Sequence, residues 1–178
     1  SEDGKTFTFR YDEYKPDGAR PFGGRVPYSV VKVIFEPSFK DYRPTSTAKL
    51  FYGRHNIKEI DGIENLNTEQ VTDMRFMFLG CRSLTSLDLS NFNTKQVTDM
   101  SCMFEDCSSL KSLNLSQFNT EQVTNMRGMF GGCSSLTTLN LSKFNTEQVT
   151  DMSCMFARCS SLKSLKLSNF NTRQVTYM

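Results

Sequence analysis

Apolar residues follow two different rhythms along this chain. Thr6-Phe7-Thr8-Phe9-Arg10-Tyr11 alternates with the period of a half-buried strand, and Val31, Val33 and Phe35 repeat that period until Pro37 interrupts it. Between them, Lys15 to Pro27 is rich in Pro and Gly and predicts a loop. From Asn67 a longer rhythm takes over. Each unit reads Asn-Thr-x-Gln-Val-Thr-x-Met-x-x-Met-Phe-x-x-Cys-x-Ser-Leu-x-x-Leu-x-Leu-Ser-x-Phe, with a period of 26 residues. Four complete copies run over 67–92, 93–118, 119–144 and 145–170, and a fifth begins at Asn171. A second period of 52 is laid over the first: units 93–118 and 145–170 differ at only five positions.

The repeat extends backwards in degraded form. Leu50-Phe51, Gly53, Ile57, Ile63, Leu66 and Asn67 lie 26 or 27 residues before Met77-Phe78, Gly80, Leu84, Leu89, Phe92 and Asn93. The expected organisation is an N-terminal cap over 1–30, degenerate first coils over 31–66, four regular repeats over 67–170, and the start of a fifth over 171–178.

Each unit carries one segment with strand alternation, Leu84-x-x-Leu87-x-Leu89 in the first. Strands from successive units must then pair in parallel, which makes the fold a solenoid. The other half of the unit places Val71, Met74, Met77, Phe78 and Cys81 at spacings of 3, 3, 1 and 3, which suits one face of a helical turn too short to stand alone. The predicted fold class is therefore an α/β solenoid, a right-handed leucine-rich-repeat-like coil. It has a short-stranded parallel sheet on one face, helical or 3-10 turns on the other, and a small β cap.

This architecture explains the composition. Ser, Thr and Asn supply 49 of 178 positions, yet the chain holds 15 Phe and 9 Met. A linear core needs few interior residues per coil and leaves a large polar surface. Stacking aligns like with like, so Phe78, Phe104, Phe130 and Phe156 should form one aromatic column and Phe92, Phe118, Phe144 and Phe170 another at the corner.

Val-Thr-Asp-Met-Ser-Cys-Met-Phe at 97–104, followed by Cys-Ser-Ser-Leu-Lys-Ser-Leu-Asn-Leu-Ser-Gln-Phe-Asn-Thr at 107–120, closely resembles BspA-type leucine-rich repeats. The resemblance covers about residues 30–178. It implies a bacterial cell-surface protein or lipoprotein that binds host or neighbouring-cell proteins. Extracellular location follows from the resemblance alone, because the start Ser1-Glu2-Asp3-Gly4-Lys5 has no leader pattern and is what a mature or trimmed fragment would show.

Candidate chemistry is sparse. With 21 basic and 19 acidic side chains the net charge is +2, too small to steer the chain toward nucleic acid, and no apolar run suggests membrane insertion. The single histidine, His55, has no periodic carboxylate or Cys partner and reads as an exposed turn residue. Gly131-Gly132 reads as a turn. No cofactor, metal site or catalytic residue is expected. Cys81, Cys107, Cys133 and Cys159 share one column at a spacing unsuited to disulfides, and neither Cys102 with Cys107 nor Cys102 with Cys154 makes a good bridge, so all six should be free thiols. The paired methionines fit core packing better than a soft-metal strip. The Asn67, Asn93, Asn119, Asn145 and Asn171 column suits a corner side chain bonding turn backbone. The Thr columns at 94, 120, 146 and at 98, 124, 150 suit the same role, with an ordered lattice for ice or another periodic surface as the alternative.

Binding is expected on the sheet face. Asp88, Asn114, Asn140 and Lys166 form a column whose charge changes sign along its length. Ser86, Ser112, Thr138 and Ser164 flank it on one side and Asn91, Gln117, Lys143 and Asn169 on the other. Short polar side chains on rigid strands suit weak or multivalent contacts with a protein or glycan. The alternatives are a solvating face on a passive spacer, or self-association. For the last, Phe156, Leu165, Leu167 and Phe170 lack a following coil to cover them, so end-to-end association is a further expectation.

Overall fold

The structure is a computed structural model that describes residues 3–11 and 26–178. Most of the loop expected over Lys15–Pro27 lies outside them. The chain coils as a solenoid. Strand β1 (Thr6–Phe9) pairs in parallel with β2 (Lys32–Phe35), and β2 pairs in parallel with β3 (Glu59–Asp61). Thr6 faces Lys32 and Lys32 faces Glu59, so the first strand already stands one repeat length before the second. A bidentate pair from Arg10 Nε and Nη2 to Glu36, at 2.7 Å each, ties the end of β1 to the residue after β2. Pro37–Asp41 and Ile63–Asn65 form short 3-10 turns. A second parallel sheet joins β4 (Ser86–Asp88) to β5 (Ser112–Asn114), with Leu87 facing Leu113.

The sheet face is less regular than the repeat predicts. Among the described residues no ladder joins β3 to β4, and Thr138–Asn140 and Ser164–Lys166 form no strand although they carry the same pattern. The unbroken β-structure runs elsewhere. Parallel bridges link Ser46 to Asp73, Asp73 to Asp99, Asp99 to Asn125, Asn125 to Asp151 and Asp151 to Tyr177. Around each bridge the backbone bonds both neighbours: Thr98 N–H donates to Thr72 O at 2.9 Å and Met74 N–H to Asp99 O at 3.0 Å.

The expected helical face is instead a stack of tight turns. In the second regular coil the N–H groups of Met100, Cys102, Phe104 and Asp106 donate to the carbonyls of Asn125, Arg127, Met129 and Gly131 on the next coil, at 2.7–3.0 Å. The N–H groups that follow the last three of these, of Met103, Glu105 and Cys107, turn back to residues three earlier. A helix would send all of them back along its own axis. The reversal comes from left-handed φ at two positions per coil: Phe76 (59°), Cys102 (52°), Gly128 (59°) and Cys154 (58°), then Gly80 (74°), Asp106 (57°), Gly132 (73°) and Arg158 (60°). A positive φ at the third residue of a turn is what a type II turn requires, and glycine takes it without strain.

The interior columns pack as the repeat implies. Val71, Met74, Met77, Phe78 and Cys81 are fully buried, as are their counterparts in the next two coils. The rings of Phe51, Phe78, Phe104, Phe130 and Phe156 stack in series at 5.4–5.8 Å, and from Phe78 onward they lie within 6° of parallel. Corner residues Phe92, Phe118 and Phe144 are buried too, but their rings form no stacked pairs among the described residues. At the N-terminal end Phe9 stacks on Phe35 at 4.6 Å, and both rings pack against Phe39 and, edge-on, against Phe51. At the other end Leu167 and Met178 are exposed and Phe156 and Phe170 half-buried around an apolar hollow of about 510 Å³.

Candidate functional site

The sheet face and its corner carry the polar residues predicted to bind. All twelve are exposed: Ser86, Asp88, Asn91, Ser112, Asn114, Gln117, Thr138, Asn140, Lys143, Ser164, Lys166 and Asn169. Only the first two coils hold theirs on paired strands, with Ser86 opposite Ser112 and Asp88 opposite Asn114 over the buried Leu87.

Four of these side chains are already occupied in part by the fold. Oδ1 of Asp88, Asn114 and Asn140 accepts the backbone N–H two residues on, from Ser90, Ser116 and Ser142, at 2.9–3.1 Å. These are Asx turns, which follow β4 and β5 in the first two coils and the unpaired segment 138–140 in the third. The Ser90 backbone and hydroxyl hold the Asp88 carboxyl below its ordinary range. Asn169 Nδ2 donates to Leu141 O at 3.0 Å and to Phe144 O at 2.7 Å, so it anchors one coil to the one before. Asp88, Asn114 and Asn140 are thus turn-forming side chains that are exposed to solvent. Lys166, which cannot accept a backbone bond, sits where no strand forms.

Two other columns have the same backbone role. Asn67, Asn93, Asn119, Asn145 and Asn171 accept from Glu69, Lys95, Glu121, Glu147 and Arg173 N–H, as the corner reading anticipates. Asp73, Asp99, Asn125 and Asp151 do so along the bridge column, a role that the sequence reading missed. Its signal was the restriction of that site to Asp or Asn in the four complete units.

The threonines divide sharply. Thr94, Thr120 and Thr146 are buried, and each hydroxyl makes two bonds to one residue of the next coil. Thr94 Oγ1 accepts Asn119 N–H at 2.9 Å and donates to Asn119 O at 2.7 Å, and Thr120 does the same with Asn145. This column is therefore closed to any periodic external surface. Thr98, Thr124 and Thr150 are exposed and add a hydroxyl bond to the preceding coil's carbonyl at 3.1–3.3 Å.

All six cysteines are free. The column thiols of Cys81, Cys107, Cys133 and Cys159 donate to carbonyls of Phe51, Phe78, Phe104 and Phe130 on the preceding coil at 3.0–3.4 Å. Burial pushes Cys81 and Cys133 up to about 12, and Cys107 well above its ordinary value. Such thiols are packing groups, since the reactive form is the thiolate. His55 is exposed, with Nδ1 2.7 Å from Gly80 O. Among the described residues no three His, Cys, Asp or Glu side chains gather to hold a metal, and no helix is long and apolar enough to cross a membrane.

At the N-terminal end of the face, the gap between β3 and β4 opens into a cleft of about 360 Å³ walled by Glu59, Ile60, Asp61, Glu64, Leu87 and Asp88. Lys32 reaches Asp61 at 2.5 Å and Glu59 at 3.2 Å, which lowers the Asp61 pKa and raises that of Lys32.

No curated protein matches the chain. Among solved structures, a leucine-rich repeat protein from Bacteroides ovatus is 16% identical with a TM-score of 0.45, over 98% of this chain and 36% of that one. The leucine-rich repeat protein of T. pallidum is 21% identical with a TM-score of 0.40, over 76% of this chain and 66% of that one. The chain thus spans about a third of the first and just under two thirds of the second. Residues 42–114 and 108–178 match a family model, and the BspA-type repeat signature at 97–120 falls within them. The chain belongs to the family described as "Mycoplasma protein of unknown function, DUF285".

Proposed function

We propose that this chain is a non-enzymatic recognition module of a bacterial cell surface, which binds a protein or glycan through the polar sheet face. The observation that carries the reading is the division of labour within each coil. Buried columns keep their identity from coil to coil. The exposed column over them changes from Asp88 through Asn114 and Asn140 to Lys166. With no aromatic anchor among the twelve residues, affinity comes from many modest polar contacts. The family's bacterial membership and the BspA-type resemblance support surface display.

The test is binding of the chain to a panel of immobilised glycans and cell-surface proteins, repeated with Asp88→Lys and Lys166→Glu. A partner whose affinity falls tenfold or more with either variant supports the site. A partner whose affinity is unchanged by both overturns it. The unbroken turn-side ladder favours a second reading, a spacer or self-associating surface element. Light scattering over a concentration series decides self-association, which a strict monomer at high concentration removes.

A further inference from the structure

Among the described residues, the gap between β3 and β4 is the one place on the sheet side where two formed strands stand in consecutive coils without pairing. Strand β3 bonds β2 on one side and β4 bonds β5 on the other. Their remaining edges face the 360 Å³ cleft. Backbone N–H and C=O groups on such edges need partners, and an added strand supplies them in the same geometry as a neighbouring coil.

The charges of the cleft specify what that strand should carry. Glu59, Asp61, Glu64 and Asp88 line it, against Lys58 in the wall and Lys32 bridging Glu59 and Asp61. Among the described residues no ion pair includes Glu64 or Asp88. In the 27-residue register that relates β3 to β4, Asp61 and Asp88 occupy matching positions on facing edges. Ile60 and Leu87 supply an apolar floor.

We infer that this cleft is a docking slot for an extended segment of a partner protein bearing Lys or Arg at alternate positions. Its backbone continues the ladder from β4, and its cationic side chains pair with Glu64 and Asp88. The inference rests on the sheet face being a recognition surface and names the partner class at its N-terminal end.

The probe is a ten-residue capped peptide of alternating Lys and Thr, with a Glu-Thr peptide as its twin. Binding is followed by fluorescence anisotropy, and amide hydrogen exchange is measured across 59–61 and 86–88. The expected result is binding of the Lys-Thr peptide alone, with slowed exchange at those amides. Glu64→Gln and Asp88→Asn should each weaken it several-fold and together at least tenfold. Glu64→Gln leaves the Lys32 pairs untouched, so a loss there is not a folding defect, and Glu121→Gln on a distant coil should change nothing. Equal binding of both peptides, binding without protection of those amides, or no binding at millimolar peptide overturns the slot. If the slot fails while Lys166→Glu still weakens a panel partner, only the slot is lost and the recognition face stands.

Discussion

The turn side and the sheet side of this solenoid are built from the same 26-residue unit, yet only one of them is continuous. On the turn side every coil bonds the next, through the bridge column from Ser46 to Tyr177 and through alternate N–H groups such as Cys102 to Arg127. On the sheet side one three-stranded and one two-stranded sheet form, later coils form no strand among the described residues, and a cleft separates β3 from β4. The difference teaches where the coil is secured. Register belongs to the turn side, which leaves the sheet-side residues free to differ from coil to coil without disturbing the stack. Surface substitutions away from special features usually change stability by less than about 0.5 kcal/mol.

Four measurements sharpen or break this contrast. The widest expected difference is in thiol labelling of the folded protein. Cys154 is exposed, whereas Cys81, Cys107 and Cys133 are buried in the column, so Cys154 should react first and the other three only through opening, on the order of a thousandfold more slowly. Rapid labelling of the whole column would mean that the turn side is open in solution. Next, Phe104→Ala removes the middle ring of the stack and should cost about 3–5 kcal/mol in urea unfolding, while Leu113→Ala in β5 should cost less than about 2 kcal/mol. Equal losses would erase the distinction between the two sides.

Smaller again is Thr94→Val, which keeps the shape but strips both bonds from Asn119. A loss of about 1–3 kcal/mol is expected from the orphaned backbone groups. The smallest effect should be a gain. Cys154 holds φ 58° where the preceding coil has Gly128, so Cys154→Gly should raise stability by up to about 1 kcal/mol, seen as a higher thermal midpoint. A drop in the midpoint would show that the Cys154 side chain contributes more than its backbone costs.

Much of this fold is legible in the residues. The period places the Val, Met, Phe and Cys columns of the interior, and the Cys spacing anticipates free thiols with no need of bridges. The corner asparagines behave as Asx residues because their chemistry acts locally, within two residues of backbone. The turn side was misread for a physical reason. Val71, Met74, Met77, Phe78 and Cys81 return to one face every three or four residues whether the chain is helical or folded into successive turns. The distinguishing signal was faint: Gly128 alternates with Phe76, Cys102 and Cys154, and Gly80 and Gly132 alternate with Asp106 and Arg158.

The sheet side was over-read by the same logic. Leu-x-x-Leu-x-Leu recurs in every unit, but alternation reports which side chains are buried and says nothing of whether neighbouring backbones meet. Leu139 and Leu165, where no strand forms, are only partly buried. Of the proposed site, exposure was readable in full. The backbone duties of Asp88, Asn114, Asn140 and Asn169 were not, because they depend on where each turn falls after the strand segment.

The doubly bonded threonines also carry a mechanical meaning. Each buried hydroxyl clasps both backbone groups of one asparagine on the next coil, so tension along the axis loads these clasps in series. A chain held at its two ends would then pay out one coil at a time, each release adding about 90 Å of contour to an otherwise stiff tether.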